Sequence, residues 1–259
     1  MSEISYHRFV ALGDSQTEGL NDGADDTGLR GWADRFAEHL AAVNPELHYA
    51  NLAVRGRLTR DVLTDQLPAA LTLRPDLVSV VVGMNDVLRI STDLSDVLGD
   101  LDTIYARLAD EGITVMTTTF PAIAKIAPMA RRLEPRALRL NDAIRSAAAK
   151  YGLVLVDLHG ADAMTDLRYW SADRIHASAL GHAAFAAAAA EAVRLPGSDG
   201  SWSQPLPPLP PHSALGRIRA EAKWVRAFLL PWFARRIQGK SSGDGRTAKR
   251  PSLAPVVVR

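Results

Sequence analysis

The chain has 259 residues, enough for one sizeable α/β domain with an appendage or for two small domains. It is 47% hydrophobic and 23% charged, which is ordinary for a globular protein, and with no cysteine it has no disulfide, thiol nucleophile or thiolate metal site. The net charge of +1 hides an asymmetry: residues 213–259 hold 11 lysines and arginines against only Glu221 and Asp244, a net +9, leaving the preceding residues at −8.

The N-terminal stretch MSEISYHRFVALGD lacks a basic region followed by a long apolar run, so it does not read as a secretory signal. No apolar run approaches the roughly 20 residues that span a bilayer. A cytoplasmic location is expected from both observations.

In chain order, HRFVAL (7–12) reads as a first strand and GWADRFAEHLAAV (31–43) as a helix with Trp32, Phe36, Leu40 and Val43 along one stripe. LHYANLAV (47–54) is a second strand, and DVLTDQLPAAL (61–71) a helix bent or broken near Pro68. DLVSVVVG (76–83) is a nearly continuous β-branched run that suits a strand buried on both faces. Residues 94–112 form a helix closing on Gly112, ITVMTTTF (113–120) a fourth strand, 135–152 a helix, LVLVDL (153–158) a fifth strand and 179–195 an alanine-rich helix. Strands alternating with helices imply right-handed βαβ units, hence a three-layer α/β/α domain over residues 1–195 with about five parallel strands. Ligands of such sheets bind beyond the carboxyl ends of the strands.

Four short segments fall at those ends. Ser15 lies in GDSQTEG after the first strand, where serine serves either as a nucleophile or as a helix cap. Gly56 follows the second strand in NLAVRG, and its N–H is free of any Cβ that would block close approach. Asn85 follows the third strand in VVVGMND, as a turn residue or as an amide donor to an oxyanion. Asp173 and His176 in DRIHASALGH are three apart, a spacing at which a carboxylate can hold an imidazole tautomer. His182, at the start of the alanine-rich helix, reads as packing or capping. Asp157, His159, Asp162, Asp166 and His176 match no metal-ligand spacing, so no metal is expected.

Taken in this order and on these elements, the four blocks resemble the SGNH/GDSL hydrolase family, over residues 7 to about 195. The resemblance implies a flavodoxin-like fold and a Ser15–His176–Asp173 triad. It also implies an oxyanion hole from the Ser15 and Gly56 backbone N–H groups and the Asn85 side chain, with Gly13 and Asp14 supporting the turn. It implies hydrolysis of carboxylic esters through an acyl-enzyme on Ser15, without a cofactor. The family also includes lysophospholipases, thioesterases and carbohydrate deacetylases, and a non-catalytic binding protein on the same fold is a further reading. The loop 120–135, with Met129, Arg131 and Arg132, is the expected wall of an acyl pocket.

Residues 196–212 are proline-rich and read as an extended linker. Residues 213–238 read as a basic amphipathic helix with Leu215, Ile218, Ala222, Val225, Leu229 and Trp232 at helical spacing, and 239–259 as a disordered tail. The helix has three readings: a strap on the acidic body, a surface for anionic membranes at 213–237, placing the protein at the inner membrane face, or a site for a partner protein. Nucleic acid is not expected on so acidic a body. The substrate is expected to be a small-molecule or lipid ester, and the oligomeric state is left open.

Overall fold

The computed structural model describes residues 5–26, 28–209, 214–229, 231 and 243–258. Its six-stranded sheet is formed by β1 (Arg8–Gly13), β2 (His48–Asn51), β3 (Leu77–Val81), β4 (Thr114–Thr118), β5 (Val154–Val156) and β6 (Arg250–Pro255). The spatial order is β5-β4-β3-β1-β2-β6, with the first five strands parallel and β6 antiparallel to β2. The order 5-4-3-1-2 is the flavodoxin-like winding, and its direction reverses between β1 and β3. The crevice therefore opens beside the end of β1, where Ser15 begins the one-turn helix α1 (Ser15–Glu18).

Each sheet face is covered. Phe9 and Ala11 of β1 point toward α2 (Gly31–Val43) and α6 (Ala179–Ala192), whereas Val10 and Leu12 point to the other layer. That second layer contains α4 (Leu94–Asp110), α5 (Glu134–Tyr151) and a composite helix α3. α3 runs as Thr59–Asp61, a wider turn Val62–Gln66 and Leu67–Thr72. Pro68, which has no N–H to donate, stands in the turn of α3 after that wide segment, so the expected break is taken up as a π-bulge instead of an end.

The alanine content of α6 lets it lie close to its neighbours. A Cβ on Gly181 would sit 1.9 Å from the Tyr169 carbonyl oxygen. The same close contact helps fix the segment that leads into Asp173.

The C-terminal expectations are corrected in part. Residues 250–255 are an edge strand, not a disordered tail. Prolines 251 and 255 do not prevent this, since an edge strand needs no N–H on its outer side. Arg250 lies over the Tyr49 ring at 5.2 Å and donates from Nε to the Tyr49 carbonyl at 2.9 Å, while Lys249 reaches the Glu18 carbonyl and Asp34. Pairing here also covers the outer edge of β2. The linker segment is held against the body: Trp202 donates to Glu191 and Arg168 to the Pro207 carbonyl. Of the predicted basic helix, Ala214–Trp224 (α7) and a wider turn Val225–Leu229 are described; residues 213, 230 and 232–238 of that prediction, and 239–242 and 259 of the predicted tail, lie outside the described residues. No helix among the described residues is long and apolar enough to cross a membrane.

These packing differences have a direct thermal consequence. Gly181→Ala is expected to lower Tm by roughly 3–10 °C, because overpacking of this kind costs about 1–3 kcal/mol. Gly99→Ala, in the interior of α4 with open space around the new Cβ, should raise Tm slightly. Thermal melts followed by circular dichroism measure both; equal shifts would contradict the packing account.

Candidate active site

The turn that presents Ser15 is set by Gly13. Its φ is +151°, and a Cβ there would meet the Val81 carbonyl oxygen at 2.3 Å and Thr17 Oγ1 at 2.7 Å. Gln66, aimed inward by the π-bulge of α3, clamps the same residue from both sides: the Gly13 N–H donates to Oε1 and Nε2 donates to the Gly13 carbonyl, each at 2.9 Å. Asp14 caps α1 by accepting from the Gln16 N–H at 3.1 Å. Burial pushes the Asp14 carboxyl up to about 6 despite that bond.

The second part of the site is the loop 171–177, pinned by a bridge between Trp170 and Ala177 and by the Ser171 N–H donating to the His176 carbonyl at 2.8 Å. Within it, Asp173 Oδ1 accepts from the Ser171 hydroxyl at 2.6 Å and from the Ile175 and His176 N–H groups at 2.9 and 3.0 Å. Oδ2 lies 2.7 Å from His176 Nδ1 and 3.1 Å from Asn21 Nδ2. Burial alone would raise this carboxyl, but the His176 ring and the surrounding donors outweigh it and hold Asp173 well below the usual carboxylate range. The other ring nitrogen, Nε2, stands 2.9 Å from Ser15 Oγ. Gln16 fastens this loop to α1: Nε2 donates to the Ile175 carbonyl at 2.8 Å, and the Ala177 N–H donates to Oε1 at 3.2 Å. The two bonds straddle His176 and fix its height above Ser15.

Asn85 stands at the start of a one-turn helix, Met84–Val87, whose cap Gly83 has a φ of +116°. Its Nδ2 lies 3.1 Å from Asp14 Oδ2 and 3.0 Å from the Arg57 carbonyl, so both amide hydrogens have acceptors in this state. Arg136 gathers the carbonyls of Asp86, Val87, Arg89 and Thr92 and so closes the Asn85 loop. Gly56, at φ +80°, lies in the adjoining turn. That turn is drawn to α1 by Arg55, whose N–H donates to Glu18 at 2.7 Å and whose buried guanidinium pairs with Glu18 at 2.7 Å and with Asp25 at 2.6 Å. Ser15, His176 and Asp173 are thus joined in one chain of hydrogen bonds, and Asn85 is linked to it through Asp14.

Gln16, Asn21, Arg55, Gln66 and Arg136 were not singled out from the sequence. Only Gln66 leaves a trace there, as an amide in the otherwise apolar inward stripe of Val62, Leu67 and Ala70. Of the loop 120–135, Met129 is 63% exposed and Arg131 and Arg132 are exposed. Among the described residues, no group of three or more His, Asp or Glu residues converges as metal ligands.

His182 is buried beneath the site. Its Nδ1 accepts from the Trp32 N–H and its Nε2 donates to the Leu20 carbonyl, each at 3.1 Å, which requires the neutral ring. Burial pushes it down from 6.5 to about 4. The unfolded chain takes up a proton near pH 6.5 that the folded chain refuses until about pH 4, so stability falls as pH drops through this window. At ~1.4 kcal/mol per unit the loss is about 3 kcal/mol. Urea titrations should show wild type losing that much more than His182→Gln between pH 7 and 4; parallel pH curves would contradict it.

A family model described as GDSL-like Lipase/Acylhydrolase matches residues 11–184. Among solved structures, the chain is 25% identical to LAE5, an alpha/beta hydrolase enzyme from the metagenome of Lake Arreo, with a TM-score of 0.64 over 74% of this chain and 96% of that one. It is 26% identical to a lipase/acylhydrolase from Enterococcus faecalis, with a TM-score of 0.59 over 73% and 94%. An acetylxylan esterase from Geobacillus stearothermophilus shares the fold at 21% identity and a TM-score of 0.60, over 74% and 96%. None of the curated proteins matches the chain by sequence.

Proposed function

This chain belongs to the GDSL-like lipase/acylhydrolase family and is an ester-hydrolysing enzyme, and on that footing we propose that it is a serine hydrolase working through an acyl-enzyme on Ser15. The observation that carries this reading is the unbroken chain from Ser15 Oγ to His176 Nε2 at 2.9 Å and from His176 Nδ1 to Asp173 at 2.7 Å. It is supported by the Geobacillus esterase, whose structures include catalytic mutants of a serine, an aspartate and a histidine, the last two also three positions apart.

In this mechanism His176 takes the proton of Ser15 as Oγ attacks the ester carbonyl. Asp173, held ionised, keeps Nδ1 protonated and stabilises the imidazolium that forms. The tetrahedral oxyanion accepts from the Ser15 and Gly56 N–H groups and from Asn85, which shares the hydrogen now given to Asp14. His176 then protonates the leaving alcohol and activates the water that clears the acyl group. Asp14 and Gly13 shape the turn and do not exchange protons with substrate.

The substrate class is a small carboxylic ester. O-Deacetylation of a carbohydrate is the second reading, favoured over lysophospholipase or thioesterase activity by the fold shared with the acetylxylan esterase. For the described part of residues 213–237 the strap reading has better support than a lipid surface, because Trp224 is buried against the body.

Two kinetic outcomes are expected with p-nitrophenyl acetate. Ser15→Ala, His176→Ala and the double variant should all lose nearly the same activity, since these residues act as one unit. Asn85→Ala should reduce kcat by about 10²–10³ with little change in KM. Multiplicative losses for Ser15 and His176 would argue against the mechanism. Acetate release from acetylated xylan, compared with release from butyrate and octanoate esters, separates the deacetylase reading from a lipase-like one.

A further inference from the structure

Arg174, inside the acid–base loop between Asp173 and His176, has a φ of +58°. An arginine is disfavoured in this left-handed region, so the surroundings must hold it there. Its own N–H closes a turn onto the Ser171 carbonyl at 2.9 Å, and the contacts of its side chain come from the C-terminal helix α7. Glu221 takes the Arg174 guanidinium at 2.7 Å, the Trp224 ring lies under the same guanidinium at 4.9 Å, and Trp224 Nε1 donates to the Asp173 carbonyl at 3.3 Å. Trp224 is 7% exposed and the Arg174 side chain 12%, so the ring contact is largely closed to water, whereas Glu221, 43% exposed, meets Arg174 from the solvent side.

The solved relatives are covered almost end to end by about three quarters of this chain, and the family model stops at residue 184. The helix that grips Arg174 therefore lies outside the family match. On the opposite side of the crevice, Lys249 donates to the Glu18 carbonyl at the end of α1, so the same C-terminal extension touches both the acid–base loop and the nucleophile helix.

We propose that Glu221 and Trp224 are positioning residues of the active site: they hold Arg174 in its left-handed conformation and thereby fix Asp173 and His176 relative to Ser15. Neither touches the reacting atoms. This inference rests on the acyl-enzyme reading above. It predicts an enzyme whose turnover depends on an appended strap, and whose acid–base loop loosens when the strap lets go.

The test uses the full-length protein. Glu221→Ala and Trp224→Ala should each lower kcat on p-nitrophenyl acetate about 10-fold with KM within about 2-fold, since small misplacements of catalytic groups act on turnover. Hydrogen exchange, read by mass spectrometry, should accelerate across residues 171–177 and stay unchanged in β3. Trp224→Phe, which keeps a ring under Arg174, should recover most of the loss. In an Arg174→Gly background, where glycine takes a positive φ without cost, Glu221→Ala should have no further effect. Unchanged kcat and unchanged exchange at 171–177 in both alanine variants would overturn the strap. Loss of kcat that is equal in the Arg174→Gly background would overturn it too. If wild-type hydrolysis proves independent of Ser15, the acyl-enzyme reading fails instead, and the exchange data alone decide whether the strap holds the loop.

Discussion

The carboxylate of Asp173 is the fixed point of this molecule. It accepts from the His176 ring, Asn21, the Ser171 hydroxyl and the Ile175 and His176 N–H groups. A carboxylate so supplied stays ionised although largely buried, and a buried charge keeps its partners in place because losing any one of them leaves it undersatisfied. The imidazole is consequently oriented before any substrate arrives. The loop geometry, the Gln16 clip to α1 and the placement of Ser15 all follow from that requirement. The sheet supplies the platform: the reversal of winding between β1 and β3 leaves the crevice into which these groups project.

A second network works on the other side of Ser15. Arg55 and Glu18 form an ion pair that is closed from water on both sides, and it draws the Gly56 turn against α1. Breaking one partner of such a pair costs about 3–5 kcal/mol, so the pair serves geometry more than net stability. Gln66 and Arg136 do similar work through neutral or carbonyl acceptors. The Ser15 turn and the Asn85 loop are each gripped by a side chain from an element far away in the chain.

The strands were legible because a parallel strand buried on both faces must be apolar throughout, and DLVSVVVG admits little else. The helices were legible from their apolar stripes. The candidate site residues stood out because acyl-transfer chemistry would demand particular types, and Ser15, Gly56, Asn85, Asp173 and His176 all fall at strand ends or in the domain's closing loop. The supporting groups were not. Gln16, Gln66 and Arg55 act through bonds to residues 30 to 161 positions away, and apart from the place of Gln66 in an inward apolar stripe nothing in their own neighbourhood marks them. The edge strand 250–255 was missed for a related reason. Its prolines and basic residues read as disorder, and its partner β2 lies some 200 residues earlier. Burial of Trp224 against the loop 171–177 likewise became visible only in three dimensions.

The account turns on whether Ser15, activated by His176, becomes the acylated atom. The most direct measurement is intact-protein and peptide mass spectrometry after brief reaction with a fluorophosphonate ester probe, in wild type and in His176→Ala. The account predicts a single adduct on the peptide that carries Ser15 in wild type, and its near absence in His176→Ala. An adduct on another residue, or equal labelling of both proteins, would contradict it.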